Sequence, residues 1–325
     1  MTEEHTSFNI SQPFRLTPSM LPNDPNADFR DSSFFQRFSQ LPTPSEVRAE
    51  AKAQHLAGTS PDKRYGLVGP KFVKPPPVLF ESLGLFVKWG YTVTIAEGQC
   101  LYALSRFLKG AVPVPEVYGW RTENEHVYIY MEALTGRTLE EAWDMLGVDD
   151  RDDICQELKT SFDNLRRLEQ CPNDRFIGSI NRMKFYDRAI NVAYMHEAGP
   201  FPSVKHFHDW FSFLCRRRMP DPYCVNFDWL RVQLPDDDGD DAAIKFTHGD
   251  LHRSNVIVST TPPRPRVVGI VDWEQSGWFP EYWEERKAIY TALASDEWIT
   301  TYLPKILKSY KGTEEAWGFF TDAIF

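Results

Sequence analysis

The sequence predicts an α+β protein in two parts, a small sheet-rich part with one helix followed by a mostly helical remainder. Three observations lead there. Between Arg64 and Met131 the apolar residues fall in short runs broken by glycine and proline, with one amphipathic stretch among them. From Thr138 onward apolar stripes recur at helical spacing over longer segments. Near residue 250, β-branched runs at 244–247, 256–258 and 267–271 bracket the polar loop His248-Gly249-Asp250-Leu251-His252-Arg253-Ser254-Asn255 and deliver Asp272. A chain of 325 residues can bury about 75% of its unfolded surface, ample for either one large domain or two lobes.

In chain order, residues 1–60 read as an extension rich in proline, serine and asparagine. One helix is expected there, from Ser45 to Gln54 with Ser45 as its cap, and the rest reads as a strap lying on the lobes. Residues 61–133 follow as the sheet-rich part. Leu85-Phe86-Val87-Lys88 is a strand ending in lysine. Residues 96–108 carry apolar positions at Cys100, Leu101, Leu104, Phe107 and Leu108, an amphipathic helix with Glu97 in its first turn. A carboxylate is favoured near the positive end of a helix, and Glu97 is a natural ion-pair partner for Lys88. Taken singly, each also reads as an ordinary surface lysine or helix-start glutamate. No GxGxxG is present, so only Gly66, Gly69 and the backbone around them are candidates to cover phosphates.

Residues 112–119 lead into one strand and 126–131 form another. Residues 134–325 make the helical part. Thr138 caps a helix running to Leu146, a second helix spans Asp150 to Leu168, and a third spans Val204 to Cys215. Arg216-Arg217-Arg218 ends that helix and complements its dipole. The acidic run from Asp236 to Asp241 reads as a solvated loop, with attraction of a cationic acceptor as the sharper alternative. The aromatic corner from Gly277 to Trp283 is expected to pack beneath the loop that bears Asp272.

Oxygen donors fixed between strands suit a hard cation. The five-residue step from Asp250 to Asn255 equals that between base and metal-binding asparagine in the protein-kinase catalytic loop. Asp272 follows one strand later, as a second metal-binding aspartate does there. Magnesium bound with phosphates takes only one or two protein carboxylates, so Asn255 and Asp272 suffice as ligands and Asp250 is left to accept a hydroxyl proton. His248, Asp250 and His252 also fit an HxDxH transition-metal motif, although no second histidine cluster lies near them in sequence.

HGDLHRSN followed by IVDWE, together with Lys88, Glu97 and YIYMEALTGRTLEEAW, resembles the aminoglycoside phosphotransferase and choline kinase family over residues 67–290, in wording closest to a fungal branch. The resemblance implies a protein kinase-like two-lobe fold, with a small antiparallel β N-lobe, a mostly helical C-lobe and ATP with Mg²⁺ in the cleft. It implies that Lys88, paired with Glu97, touches the α and β phosphates, and that backbone groups near Met131, Glu132, Ala133 and Leu134 form the hinge that meets adenine. The activity it implies is transfer of the γ-phosphoryl group to a hydroxyl of a small molecule. Arg253 departs from the pattern, standing where many members carry proline, and is expected to change the stiffness of the loop.

Other classes fit less well. A nucleotide-binding pseudokinase would keep these side chains without turnover. A protein kinase would carry Phe and Gly after Asp272, where Trp273 and Glu274 stand, and an APE element that is absent. A formal charge of −10 opposes nucleic acid and anionic lipid as partners. No apolar run approaches the ~18 residues of a membrane span, and the first residues lack a secretory pattern. Five scattered cysteines without a CxxC pair argue against disulfides and zinc. The expectation is a reduced, cytoplasmic enzyme.

Overall fold

Which face of the small sheet a side chain occupies decides whether it serves the core or the cleft. The computed structural model describes residues 13–58, 75–190, 198–217, 219–236, 243–259, 264–290 and 296–324. The amino-terminal segment supplies β1 (Phe14–Arg15), β2 (Ala27–Asp28) and α1 (Pro44–Gly58). With β3 (Val78–Phe80), β4 (Leu85–Gly90), β5 (Val117–Glu123) and β6 (His126–Glu132), β2 completes a five-stranded antiparallel sheet in the order β2-β5-β6-β4-β3.

Side chains alternate across a strand. Leu85, Val87 and Trp89 of β4 join Tyr128 and Tyr130 of β6 on the outer face, where Phe34, Leu41 and the α1 residues Val47 and Ala51 cover them. Ile129 and Met131 belong to the opposite face and pack with Cys100, Leu101 and Leu104 of α2 (Ile95–Phe107). Lys88, out of phase with Val87 and Trp89, therefore emerges on the α2 side. Burial on both faces explains why Val127 to Met131 is an unbroken apolar run. Helix α2 lies close on β5, and a Cβ at Gly98 would come within 2.8 Å of the Trp120 ring. That approach accounts for a mid-helix glycine that otherwise costs about 1 kcal/mol.

The cap of α1 is Thr43 instead of Ser45. The Thr43 hydroxyl accepts from the Glu46 N–H at 3.3 Å, and Glu46 accepts from the Thr43 N–H at 2.7 Å. Pro44, with its fixed φ and missing N–H, suits the first helical position, and it draws the start ahead of Ser45.

The large lobe begins at β7 (Arg137–Thr138) and α3 (Leu139–Ala142), where Thr138 and Glu141 form a reciprocal capping box. Helix α4 (Val148–Leu165) ends before Leu168, earlier than its apolar spacing suggests. Leu168 and Glu169 instead form β8 (Leu168–Glu169), which pairs in parallel with β1. Helix α5 (Val204–Leu214), capped by Ser203, and α6 (Asp228–Arg231) follow. Strand β9 (Ile244–Thr247) pairs with β12 (Gly277–Pro280), and β10 (Val256–Ser259) lies between β11 (Arg266–Ile270) and β7. Helices α7 (Trp283–Tyr290), α8 (Leu303–Ile306) and α9 (Glu314–Asp322) close the chain.

One core runs from Ile129 and α2 through Leu158 of α4 to Trp273 and Trp278, tying the sheet to the loop region. A second core packs Phe207 and Phe211 of α5 on Trp283 and Phe320. The aromatic corner divides between the two, with Trp278 beside Trp273 in the first core and Phe279, Tyr282 and Trp283 in the second. All five cysteines are free thiols. Among the described residues no helix is long and apolar enough to cross a membrane.

Candidate active site

Strand β9 delivers the polar loop at Thr247, held in register by Gly277 of β12. The N–H groups of His248 and Gly249 donate to the two oxygens of Glu284 at 2.7 and 3.1 Å, and Glu284 is buried on α7. The His248 imidazole lies 3.0 Å from the Val271 carbonyl through Nε2 and accepts from the Asp250 N–H at 3.1 Å through Nδ1. Both ring nitrogens are engaged by backbone, so the HxDxH metal reading fails and His248 is a strut. Gly249 sits at φ +77°, where a Cβ would come within 2.8 Å of the Gln275 carbonyl, so only glycine makes this turn without strain.

Asp250 is 2% exposed. Burial alone would raise its pKa, but the neighbouring His252 and the Lys287 charge outweigh burial and hold it at about 2. Asn255 donates through Nδ2 to the Asp250 carbonyl at 2.9 Å and to its carboxylate at 3.2 Å. That turns the carboxamide oxygen of Asn255 away from Asp250. His252 bonds Ser254 Oγ at 2.5 Å and stays 3.6 Å from Asp250, in a supporting role. Arg253 pairs with Asp296 at 2.6 Å and stacks 4.8 Å over the Trp143 ring, so it anchors the loop where proline would stiffen it.

Lys88 joins the sheet to this loop. Its Nζ lies 2.8 Å from Glu97 Oε1, 2.5 Å from Asp272 Oδ1 and 3.1 Å from Glu274 Oε2. Burial favours a neutral amine, yet Glu97, Asp272 and Glu274 together raise the Lys88 pKa and keep it charged. Burial, with Asp272 and Glu274 adding to it, pushes Glu97 up to about 7 against the pull of Lys88. Asp272 adopts φ +62°, a left-handed conformation that aspartate tolerates and that aims its carboxylate into the cleft. Glu97, Asp272 and Glu274 come within 4.8 Å of one another, as metal ligands do. The Lys88 ammonium already sits among them, so they form an ion-pair network.

Arg188 escaped sequence reasoning. It bonds Glu274 at 2.5 Å and stands 4.0 Å from Asp250 and 3.9 Å from Asp272, bridging the expected base and the expected metal ligand. Its backbone N–H donates to Gln275 Oε1 at 2.8 Å. The adjacent Asp187 is fixed by Lys287 at 2.6 Å and by the Trp283 indole at 3.1 Å. No local motif flags it; only the fold brings it in.

At the expected hinge, Met131 is buried. The N–H groups of Glu132 and Ala133 are engaged inside the protein, by the Glu116 carbonyl at 2.8 Å and the Gly84 carbonyl at 3.1 Å, and Leu134 follows them. The structure thus brings Lys88, Glu97, Asp250, Asn255 and Asp272 into one cluster. Gly66, Gly69, Arg218 and the acidic run from Asp237 lie outside the described residues.

Residues 94–303 match the model of the phosphotransferase enzyme family. Among solved structures, the chain is similar to a thermostable mutant of aminoglycoside phosphotransferase APH(4)-Ia in ternary complex with ADP and hygromycin B, at 14% identity over 73% of this chain and 70% of that one, with a TM-score of 0.40. It is also similar to an aminoglycoside-3'-phosphotransferase of type VIII, at 16% identity over 74% and 85%, TM-score 0.42. A streptomycin-ATP-APH(2")-IIa ternary complex matches at 12% identity over 88% and 100%, TM-score 0.43. No curated protein sequence matches.

Proposed function

The chain belongs to the phosphotransferase enzyme family, and from that premise we propose that it moves the γ-phosphoryl group of magnesium-bound ATP to a hydroxyl of a small molecule. The observation that carries this reading is the 2.5 Å contact of Lys88 with Asp272. It brings a sheet lysine and a loop acid, 184 residues apart, to the same point. In this reading residues 61–133 grip the nucleotide, and 134–325 carry the base and the acceptor.

Lys88, oriented by Glu97, holds the α and β phosphates. Asp272 and the carboxamide oxygen of Asn255 are hard donors that fit magnesium. Lys88 and Arg188 already place positive charge beside Asp272, the side on which a cation would be held. Bound there, magnesium would offset charge on the phosphate oxygens. An adenine edge at the hinge meets carbonyl groups or the Leu134 N–H, since the neighbouring N–H groups are engaged. Asp250, ionised at neutral pH, orients the acceptor hydroxyl by accepting its hydrogen bond and takes the proton as the new P–O bond forms. Arg188 is placed to offset charge on the transferring group. Free thiols support a reducing, cytoplasmic setting.

The test is transfer from γ-labelled ATP across a panel of hydroxylated metabolites, run beside Asp250→Asn. The variant is expected to lose about 10² to 10⁴ in rate while ADP affinity changes little. Equal product from both proteins removes Asp250 from the mechanism. Nucleotide binding without product from any acceptor makes the protein a pseudokinase.

A further inference from the structure

Behind the Lys88 cluster, at the amino-terminal end of α2, lies a cavity of about 520 Å³. It opens between residues 91–97 and 179–186, with Trp273, Glu274 and Ser276 at its base. Its walls are mainly apolar, with Val93, Ile95, Val127, Phe185, Tyr186 and Trp273 contributing. Two large apolar side chains line it while 40% and 60% exposed, Tyr91 and Met183. Lys88, Asp250, Asn255, Asp272 and residues 131–134 do not line it, and it meets the Lys88 cluster only at Glu97 and Glu274.

Its buried polar wall is Glu97, 3% exposed. One oxygen of this carboxylate holds Lys88, and the other, Oε2, is buried without a hydrogen-bond partner among the described residues. A buried acceptor without a partner is destabilising, and such an atom calls for an account. The charges around it are Lys88 and Asp272 on the cleft side, Glu274 with Arg188 bound to it, and exposed Lys184 among the lining residues. A further carboxylate would meet Glu97 and Glu274; a donor would satisfy Oε2.

We propose that this cavity is a regulatory site for a small molecule with an aromatic, apolar body and one hydrogen-bond donor, an alcohol or amine, directed at Glu97 Oε2. A volume of this size is in the range of small-molecule sites, which pair apolar walls with a few placed polar groups. Because the other oxygen of the same carboxylate orients Lys88, occupancy fixes Lys88 and tightens nucleotide binding, and nucleotide tightens the ligand by the same factor. That coupling rests on the phosphotransferase reading; the binding itself does not.

The experiment titrates the full chain with 2-naphthylmethanol, with 2-methoxynaphthalene, which keeps the aromatic body but has no donor, and with 2-naphthoate, using calorimetry and ligand-observed NMR. The alcohol is expected to bind about tenfold tighter than the ether, with the carboxylate weakest. Ala96→Phe, which fills the cavity, and Met183→Trp, at an exposed lining position, are each expected to weaken the alcohol about tenfold while leaving ADP binding in place. ADP and the alcohol bind together. Equal binding of alcohol and ether, unchanged binding in both variants, displacement of the alcohol by ADP, or no binding of the alcohol up to millimolar concentration overturns the proposal. Absence of ADP binding would sink the phosphotransferase reading, while the contrast between alcohol and ether would still decide the cavity.

Discussion

Two charged clusters in this protein adjoin each other and differ in how they meet solvent. Lys88, Glu97, Asp272, Glu274 and Arg188 reach the cleft, with the side chains of Asp272 and Arg188 exposed by 26% and 45%. Asp187 and Lys287, joined to the first cluster through Gln275 and Arg188, are sealed at 0% exposure on both sides. An open cluster keeps its charges available for exchange with a charged ligand. A sealed one cannot exchange; its charges hold backbone in place, and removing one leaves the other without compensation. The same chemical groups are thus open to solvent on one side of Gln275, where the proposed function places recognition, and sealed into the scaffold on the other.

The largest effect should come from breaking the sealed side. Lys287→Met leaves the Asp187 carboxylate buried and unpaired and is expected to cost about 3–5 kcal/mol, measured by denaturant midpoint. Adding Asp187→Leu should recover much of the loss. A cost no greater than that of removing the exposed pair Lys159–Asp163 would erase the distinction between the clusters.

On the open side, Arg188→Ala is expected to lower kcat by about 10²- to 10³-fold while stability stays within about 1 kcal/mol. Arg188→Lys should restore only part of the rate, since the planar fork is lost. A loss confined to KM, or a matching loss of stability, would move Arg188 into the scaffold.

A third measurement sharpens the contrast through pH. His208 is buried between the Pro235 carbonyl and the Tyr282 hydroxyl, each at 2.7 Å. Burial first, and then the Arg231 charge, hold its pKa down at about 3. The unfolded chain binds this proton near pH 6.5 and the folded one does not, so stability is full above that pH and falls as pH drops toward 3. The loss from this group is about 2 kcal/mol by pH 5. His208→Gln should flatten that slope without touching the rate of phosphoryl transfer at neutral pH. The smallest effect belongs to the entry of the large lobe, where Thr138→Ala removes half of a capping box for about 1 kcal/mol.

The candidate site was largely legible in the sequence, because Asp250, Asn255 and Asp272 stand at fixed short spacings between strand signals, and Lys88 and Glu97 sit nine positions apart on neighbouring elements. The scaffold was not. Glu284, Glu285, Arg286 and Lys287 form a run that reads as a solvated helix face, yet all four are buried. Apart from the pair Glu285–Arg286, their partners lie outside the helix, at His248, Asp187 and Tyr310, and local periodicity carries no trace of them. Arg188 shares that fate. Where boundaries shifted, tertiary pairing won over propensity, as when Leu168 left the α4 stripe to pair with β1. At the start of α1, the proline ring moved the cap to Thr43.

The pairing of β1 with β8 gives the protein a second crossing between its lobes. Phe14 and Leu16 donate to the carbonyls of Arg167 and Glu169, while Ala27 and Asp28 already belong to the small sheet. Residues 16–26 therefore bridge the two halves independently of the connection after Glu132. A body joined at one point swivels freely, whereas one joined at two turns about the line between them, as a door does on a pair of pins. Any movement of one half against the other has to carry both crossings, and the core the halves share, along with it.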